Sequence, residues 1–130
     1  MMITSEFDKF SFHDAAVIKI TRGDGSISIE FEGAFMSKEH SESSDTDWII
    51  DQGVLHLRNV SKEVALFWYD NIEGKPHPSP ELPLDEITNL GFNGVLFDFD
   101  GFLNREPWVQ WQVYATEFKI EIKGKHFAHS

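Results

Sequence analysis

Hydrophobic and polar positions alternate with a period of two over much of this chain, most clearly from Trp108 to Lys123. Val109, Trp111, Val113 and Ala115 share one phase, and Phe118, Ile120 and Ile122 share the other. The apolar face therefore slips by one residue at Ala115-Thr116-Glu117. A straight strand of this length would span roughly 50 Å, well beyond a domain whose radius of gyration is about 14 Å. The strand is expected to bend at the slip through a β-bulge.

The rest of the chain reads in the same way. Phe10 to Thr21 predicts a first strand, opening with Phe12-His13-Asp14 and running on through an apolar segment. Gly23-Asp24-Gly25 signals a turn, after which Ile27, Ile29 and Phe31 alternate with Ser28, Glu30 and Glu32; a β-hairpin follows from this pattern. The polar, aperiodic run 37–47 predicts an exposed acidic loop, the place where flexibility is expected. Strand character returns at Trp48-Ile49-Ile50 and from Val54 to Val60, where Leu55 and Leu57 oppose His56 and Arg58. Val64 to Tyr69 is apolar on both faces, as in a strand covered from both sides.

Asn71 to Pro83 holds four of the five prolines and predicts a loop. Leu84 to Leu90 suits one helical turn or a strand leading in. Val95, Phe97 and Phe99 then face one way, with Leu96, Asp98 and Asp100 opposite. Gly101 to Pro107 is expected to turn the chain, and residues 124–130 to form a frayed tail. The expectation is one all-β (or β-rich α+β) domain over residues 1–130, an antiparallel sandwich or open barrel of six or seven strands with at most one short helix.

Composition narrows the function classes. Twelve phenylalanines and four tryptophans suit β packing. No apolar run approaches the roughly 20 residues of a membrane span, and no basic segment followed by an apolar one opens the chain, so no membrane association and no secretory signal are expected. Cysteine is absent, which removes disulfides and thiolate chemistry; a cytoplasmic location fits. Eleven basic residues against 22 acidic ones give a net charge of −11. That balance argues against nucleic acid, whose affinity comes from Lys and Arg on phosphates, and leaves a basic protein partner, a cation or plain solubility.

No catalytic or metal-ligating motif is legible. Asp98-Phe99-Asp100-Gly101 resembles the start of a calcium loop, but the twelfth position from Asp98 is Val109 where a glutamate is needed; a strand end passing into a glycine turn is the simpler reading. His13 and Asp14 are adjacent, and on a strand they would face opposite ways rather than form a dyad. His40, His56 and His77 stand in separate segments, and His126 and His129 lie on the tail, so no metal or other cofactor is expected. Of the tryptophans, Trp108 and Trp111 differ in parity, so one should be core and the other exposed. Trp108, in phase with Gln110 and Gln112, is the surface candidate.

Three features resemble small bacterial β-rich proteins of unknown function, some of them placed beside polymorphic toxins as immunity proteins. They are Phe12-His13-Asp14 before an Ile-rich strand, Leu57-Arg58-Asn59-Val60, and Phe97-Asp98-Phe99-Asp100-Gly101 followed by Trp111-Gln112-Val113-Tyr114-Ala115. The resemblance implies a cytoplasmic, non-enzymatic binding protein and carries no functional residues with it. The leading expectation is thus an interaction module, immunity-like, meeting a basic protein partner through Glu39, Glu42, Asp45, Asp47 and Trp48. The alternative is a carbohydrate or small-ligand domain using Trp108, Gln110 and Gln112. A small hydrolase or isomerase assembled in the fold from scattered His and Asp comes third, and would require a concave pocket holding both. A long edge strand makes a homodimer conceivable.

Overall fold

The computed structural model describes residues 1–67, 75–76 and 82–128, with the backbone alone for 75–76 and 106–108. Among these residues strands are the dominant element, and no helix reaches seven residues. The elements are β1 (Met2–Ile3), a 3-10 turn (Phe7–Lys9), β2 (Phe10–Ser11), β3 (Ala15–Gly23), β4 (Ser26–Glu32), β5 (Ala34–Met36) and β6 (Trp48–Arg58). Then follow β7 (Lys62–Phe67), β8 (Lys75–Pro76), β9 (Glu86–Phe92), β10 (Leu96–Leu103), β11 (Glu106–Tyr114) and β12 (Glu117–Phe127). All pairings are antiparallel, in the order β1-β12-β6-β4-β3-β9-β10-β11-β7-β8, with β2 and β5 branching from β6. The sheet is not closed. Seven of the strands have seven residues or more, and the single 3-10 turn is the only helical segment described.

The sheet doubles over where β3 meets β9, a junction of two residue pairs, Ala15 with Ile87 and Ala16 with Glu86. The two halves then enclose one core. Phe7, presented by the 3-10 turn, bridges them, packing edge-on against Phe92 and Phe97 of one half and Phe118 of the other. Trp111 is fully buried against Phe99. Its indole N–H donates to the Glu63 carboxylate, which also receives the Arg22 guanidinium and so ties β3 to β7 across the end of the core.

The hairpin expected around Asp24-Gly25 is β3–β4, with Gly23 opposite Ser26 and Gly25 at φ +63°. The apolar phases also hold: Val109, Trp111, Val113 and Ala115 are buried in one phase, and Ile120 and Ile122 in the other. The device at the slip differs from a bulge, however. The chain leaves β11 at Tyr114, turns a corner through Ala115 and Thr116, and starts β12 on the other half of the sheet, so the partners change from β10 and β7 to β6 and β1.

Of the two readings of Leu84 to Leu90, the strand holds: β9 begins at Glu86, with Leu84 and Asp85 leading in. Two local expectations are corrected. Gly101 lies within β10, and the turn is made by Asn104 and Arg105, both at positive φ, between the paired Leu103 and Glu106. Gly124 to Phe127, expected to fray, continue β12 against residues of β6 down to Trp48. Val95 also departs from its phase: it sits in the β9–β10 turn and is exposed, because Asn93 Oδ1 caps the backbone amides of Val95 and Leu96 there. Trp68, His77 and His129 lie outside the described residues.

Candidate functional site

Loop 37–47 joins β5 to β6 and winds through repeated tight turns. His40 N–H donates to Ser37 O, Ser43 N–H to His40 O, and Thr46 N–H to Ser43 O. Each turn draws one side chain inward, so His40 and Ser43 are buried inside a segment of wholly polar sequence. His40 Nε2 donates to the Ser5 carbonyl at 3.0 Å, and its Nδ1 accepts the Glu42 N–H at 3.0 Å. Those partners fix the neutral tautomer, since a carbonyl can only accept and the amide can only donate. Ser43 Oγ donates to Lys38 O at 2.7 Å. The Ser41 hydroxyl and backbone N–H both donate to Glu6 and hold its carboxyl below the usual carboxylate range.

This scaffold presents Glu39, Glu42 and Asp45 to solvent, along a hollow of about 670 Å³ that Glu39 and Asp45 line together with Lys38, His40, Ser41 and Ser44. Asp47 is used differently: its carboxylate accepts the Lys38 N–H at 2.7 Å and closes the loop on itself. Trp48 anchors the other flank. Its indole N–H donates to Ser43 O at 2.8 Å, Lys125 Nζ sits 3.9 Å over its ring, and Phe127 stacks on it at 4.7 Å between centroids. Phe127 is itself 53% exposed. The Ala128 N–H donates to Asp47 O, which joins the end of β12 to the loop. The site therefore pairs outward carboxylates with an exposed phenylalanine on a half-buried tryptophan, and Phe127 is a member that sequence reasoning left in a frayed tail.

No family model, no curated protein and no solved structure matches this chain. The geometry of its own residues therefore carries the functional reading.

Gln110 and Gln112 of the alternative ligand site fall on the outer face of β11. Gln110 Nε2 donates to Asp98 Oδ1 at 3.2 Å, while Gln112 is half-buried opposite Asp98. The Trp108 side chain lies outside the described residues. Asp98 and Asp100 occupy mid-strand positions rather than a turn, and no cluster of three or more potential metal ligands occurs among the described residues. Burial raises the Asp100 carboxyl above its ordinary value, and neighbouring Asp98 adds to the effect.

His13 and Asp14 do meet, contrary to the strand-based expectation. The backbone turns at Asp14, φ +67°, before β3 begins, which brings His13 Nε2 within 3.5 Å of Asp14 Oδ2 while His13 Nδ1 faces Thr88 O. Both side chains are largely exposed. His126, expected on a frayed tail, pairs with Asp51 at 2.9 Å.

The fold also assembles a group absent from the sequence reading. Ser28 of β4 and His56 of β6 stand directly opposite each other, and Glu121 of β12 reaches the far side of the imidazole. The only sequence signal was the shared outward parity of Ser28 and His56; the β4–β6 register that joins them is a long-range pairing.

Proposed function

We propose that this protein is an interaction module that binds a basic protein partner at the end of the molecule formed by loop 37–47, Trp48 and Phe127. The observation that carries the reading is exposed Phe127 stacked on half-buried Trp48, which is hydrogen-bonded to the loop that presents Glu39, Glu42 and Asp45 to solvent. Carboxylates at the rim steer a cationic partner, and exposed Phe127, backed by Trp48, gives it an apolar anchor. The net charge of −11 extends the same field over the whole molecule. The buried His40 and Ser43 hold the loop in shape before binding, which lowers the ordering cost of association. An immunity-type inhibitor of a basic toxin domain is the form of this function that the sequence resemblance favours.

A capture experiment tests the reading. Immobilised protein is exposed at low salt to lysate of its source organism, eluted with a salt step and examined by mass spectrometry. The expected result is one basic protein released by salt, since rim charges are screened at higher ionic strength. An empty elution from folded protein would overturn it.

A further inference from the structure

The outer face of the β4–β6–β12 layer carries Ser28, His56 and Glu121 as a continuous relay. Ser28 Oγ lies 2.8 Å from His56 Nδ1, and His56 Nε2 lies 3.4 Å from Glu121 Oε1. A carboxylate can only accept, so in the neutral imidazole Nε2 carries the proton and donates to Glu121. Nδ1 is then a lone-pair acceptor, and the Ser28 hydroxyl donates to it. The polarity is that of a nucleophile, a general base and an orienting acid, with the two ring nitrogens exchanged relative to the familiar serine triad. Because the three residues come from three adjacent strands, the ladder itself fixes their spacing.

The relay opens on a hollow. Ser28 and His56 line a concavity of about 410 Å³ with Asp24, Gly25, Ser26, Arg58 and Asn59. Asp24 and His56 thus share one concave surface, the condition the enzymatic expectation required. Backbone N–H groups of β4 and β6 are engaged in the ladder, so the cationic donor available there is the Arg58 guanidinium. It follows His56 by two residues on the same face and stands opposite Ser26.

We propose that Ser28, His56 and Glu121 form a hydrolytic relay in which Ser28 is acylated by small carboxylic esters and regenerated by water, with Arg58 facing the developing oxyanion. Ser28 Oγ attacks the ester carbonyl as its proton passes to His56 Nδ1, and an Oγ–C bond forms. The C–O bond to the leaving alcohol then breaks, and His56 returns the proton to the departing oxygen. Water attacks the acyl-serine by the same route in reverse, releasing the carboxylic acid and restoring the Ser28 hydroxyl. Glu121 is a positioning residue, holding the imidazole with Nδ1 towards the serine. This activity is independent of the acidic-loop binding surface.

The test uses the full-length folded protein and p-nitrophenyl acetate. The expected result is a burst of about one equivalent of p-nitrophenolate per chain, with the acetyl group mapped to Ser28 by peptide mass spectrometry. Ser28→Ala should abolish the burst, whereas Ser61→Ala, an exposed hydroxyl outside the hollow, should retain it. His56→Gln should slow acylation by about 100-fold, the lower range for loss of a general base. Glu121→Gln should lower the acylation rate at unchanged KM, and Glu121→Asp should restore part of it. Absence of a burst, acetylation confined to lysines, or an unaltered burst in Ser28→Ala would overturn the proposal; circular dichroism on each variant separates these results from misfolding.

Discussion

Two carboxyls in this protein are displaced in opposite directions, and each has a readable cause. Glu6 is lowered by hydrogen bonds from Ser41, so its contribution to stability is present above the ordinary carboxylate value and is lost as pH falls through the lowered one. Asp100 is raised by burial and by Asp98, so the sign reverses: its charged form opposes folding at neutral pH, and the penalty disappears below the unfolded-state value. Asp100→Asn should therefore raise the melting temperature at pH 7, with a gain that shrinks to nothing near pH 3; an unchanged gain at both values would contradict this account of Asp100. His40 makes a different residue-scale prediction. Its ring is buried and satisfied on both nitrogens, so His40→Ala removes two hydrogen bonds and leaves a cavity. A loss of about 2 kcal/mol in denaturant unfolding is expected, with faster hydrogen exchange at Glu42 and Ser43.

At the scale of elements, most of the strands were legible, and the reason is periodicity. Ile27, Ile29 and Phe31, or Val109, Trp111 and Val113, each bury one side of a pleat, and a period of two announces that directly. What periodicity does not encode is where a strand goes next. The slip at Ala115 is visible in sequence, yet a bulge within one strand and a corner between two layers both displace the phase by one residue. Gly101 misled for a related reason. It looks like a turn glycine, but it serves a close backbone approach: a Cβ there would lie 2.0 Å from Glu86 O of the neighbouring strand, beside the irregularity in the β9–β10 register. Gly101→Ala is thus expected to cost about 3 kcal/mol, measured by urea unfolding, whereas Gly91→Ala, with no atom near the added Cβ, should cost far less. Equal losses would show that backbone freedom rather than contact is the constraint.

Across the whole molecule, the sheet brings together residues that no local pattern joins. Phe127 meets Trp48 because the end of β12 pairs with the start of β6, and Ser28 meets His56 because β4 pairs with the later part of the same strand. The acidic loop was legible as composition, and its Glu39, Glu42 and Asp45 are exposed. Asp47 is instead committed to the Lys38 amide. The loop's internal scaffold was not legible, because a buried histidine and serine look the same in sequence as solvated ones. Among the described residues no helix is long and apolar enough to cross a membrane.

Binding through a defined acidic and aromatic surface differs from attraction by net charge alone in its dependence on position. Repeating the low-salt capture with two charge-matched variants separates the two. One neutralises the loop, Glu39→Gln with Glu42→Gln and Asp45→Asn; the other is Asp24→Asn with Glu30→Gln and Glu117→Gln, towards the other end of the strands. The account predicts that the basic partner is lost from the loop variant and retained by the distant one. Equal retention by both, or equal loss from both, would contradict it.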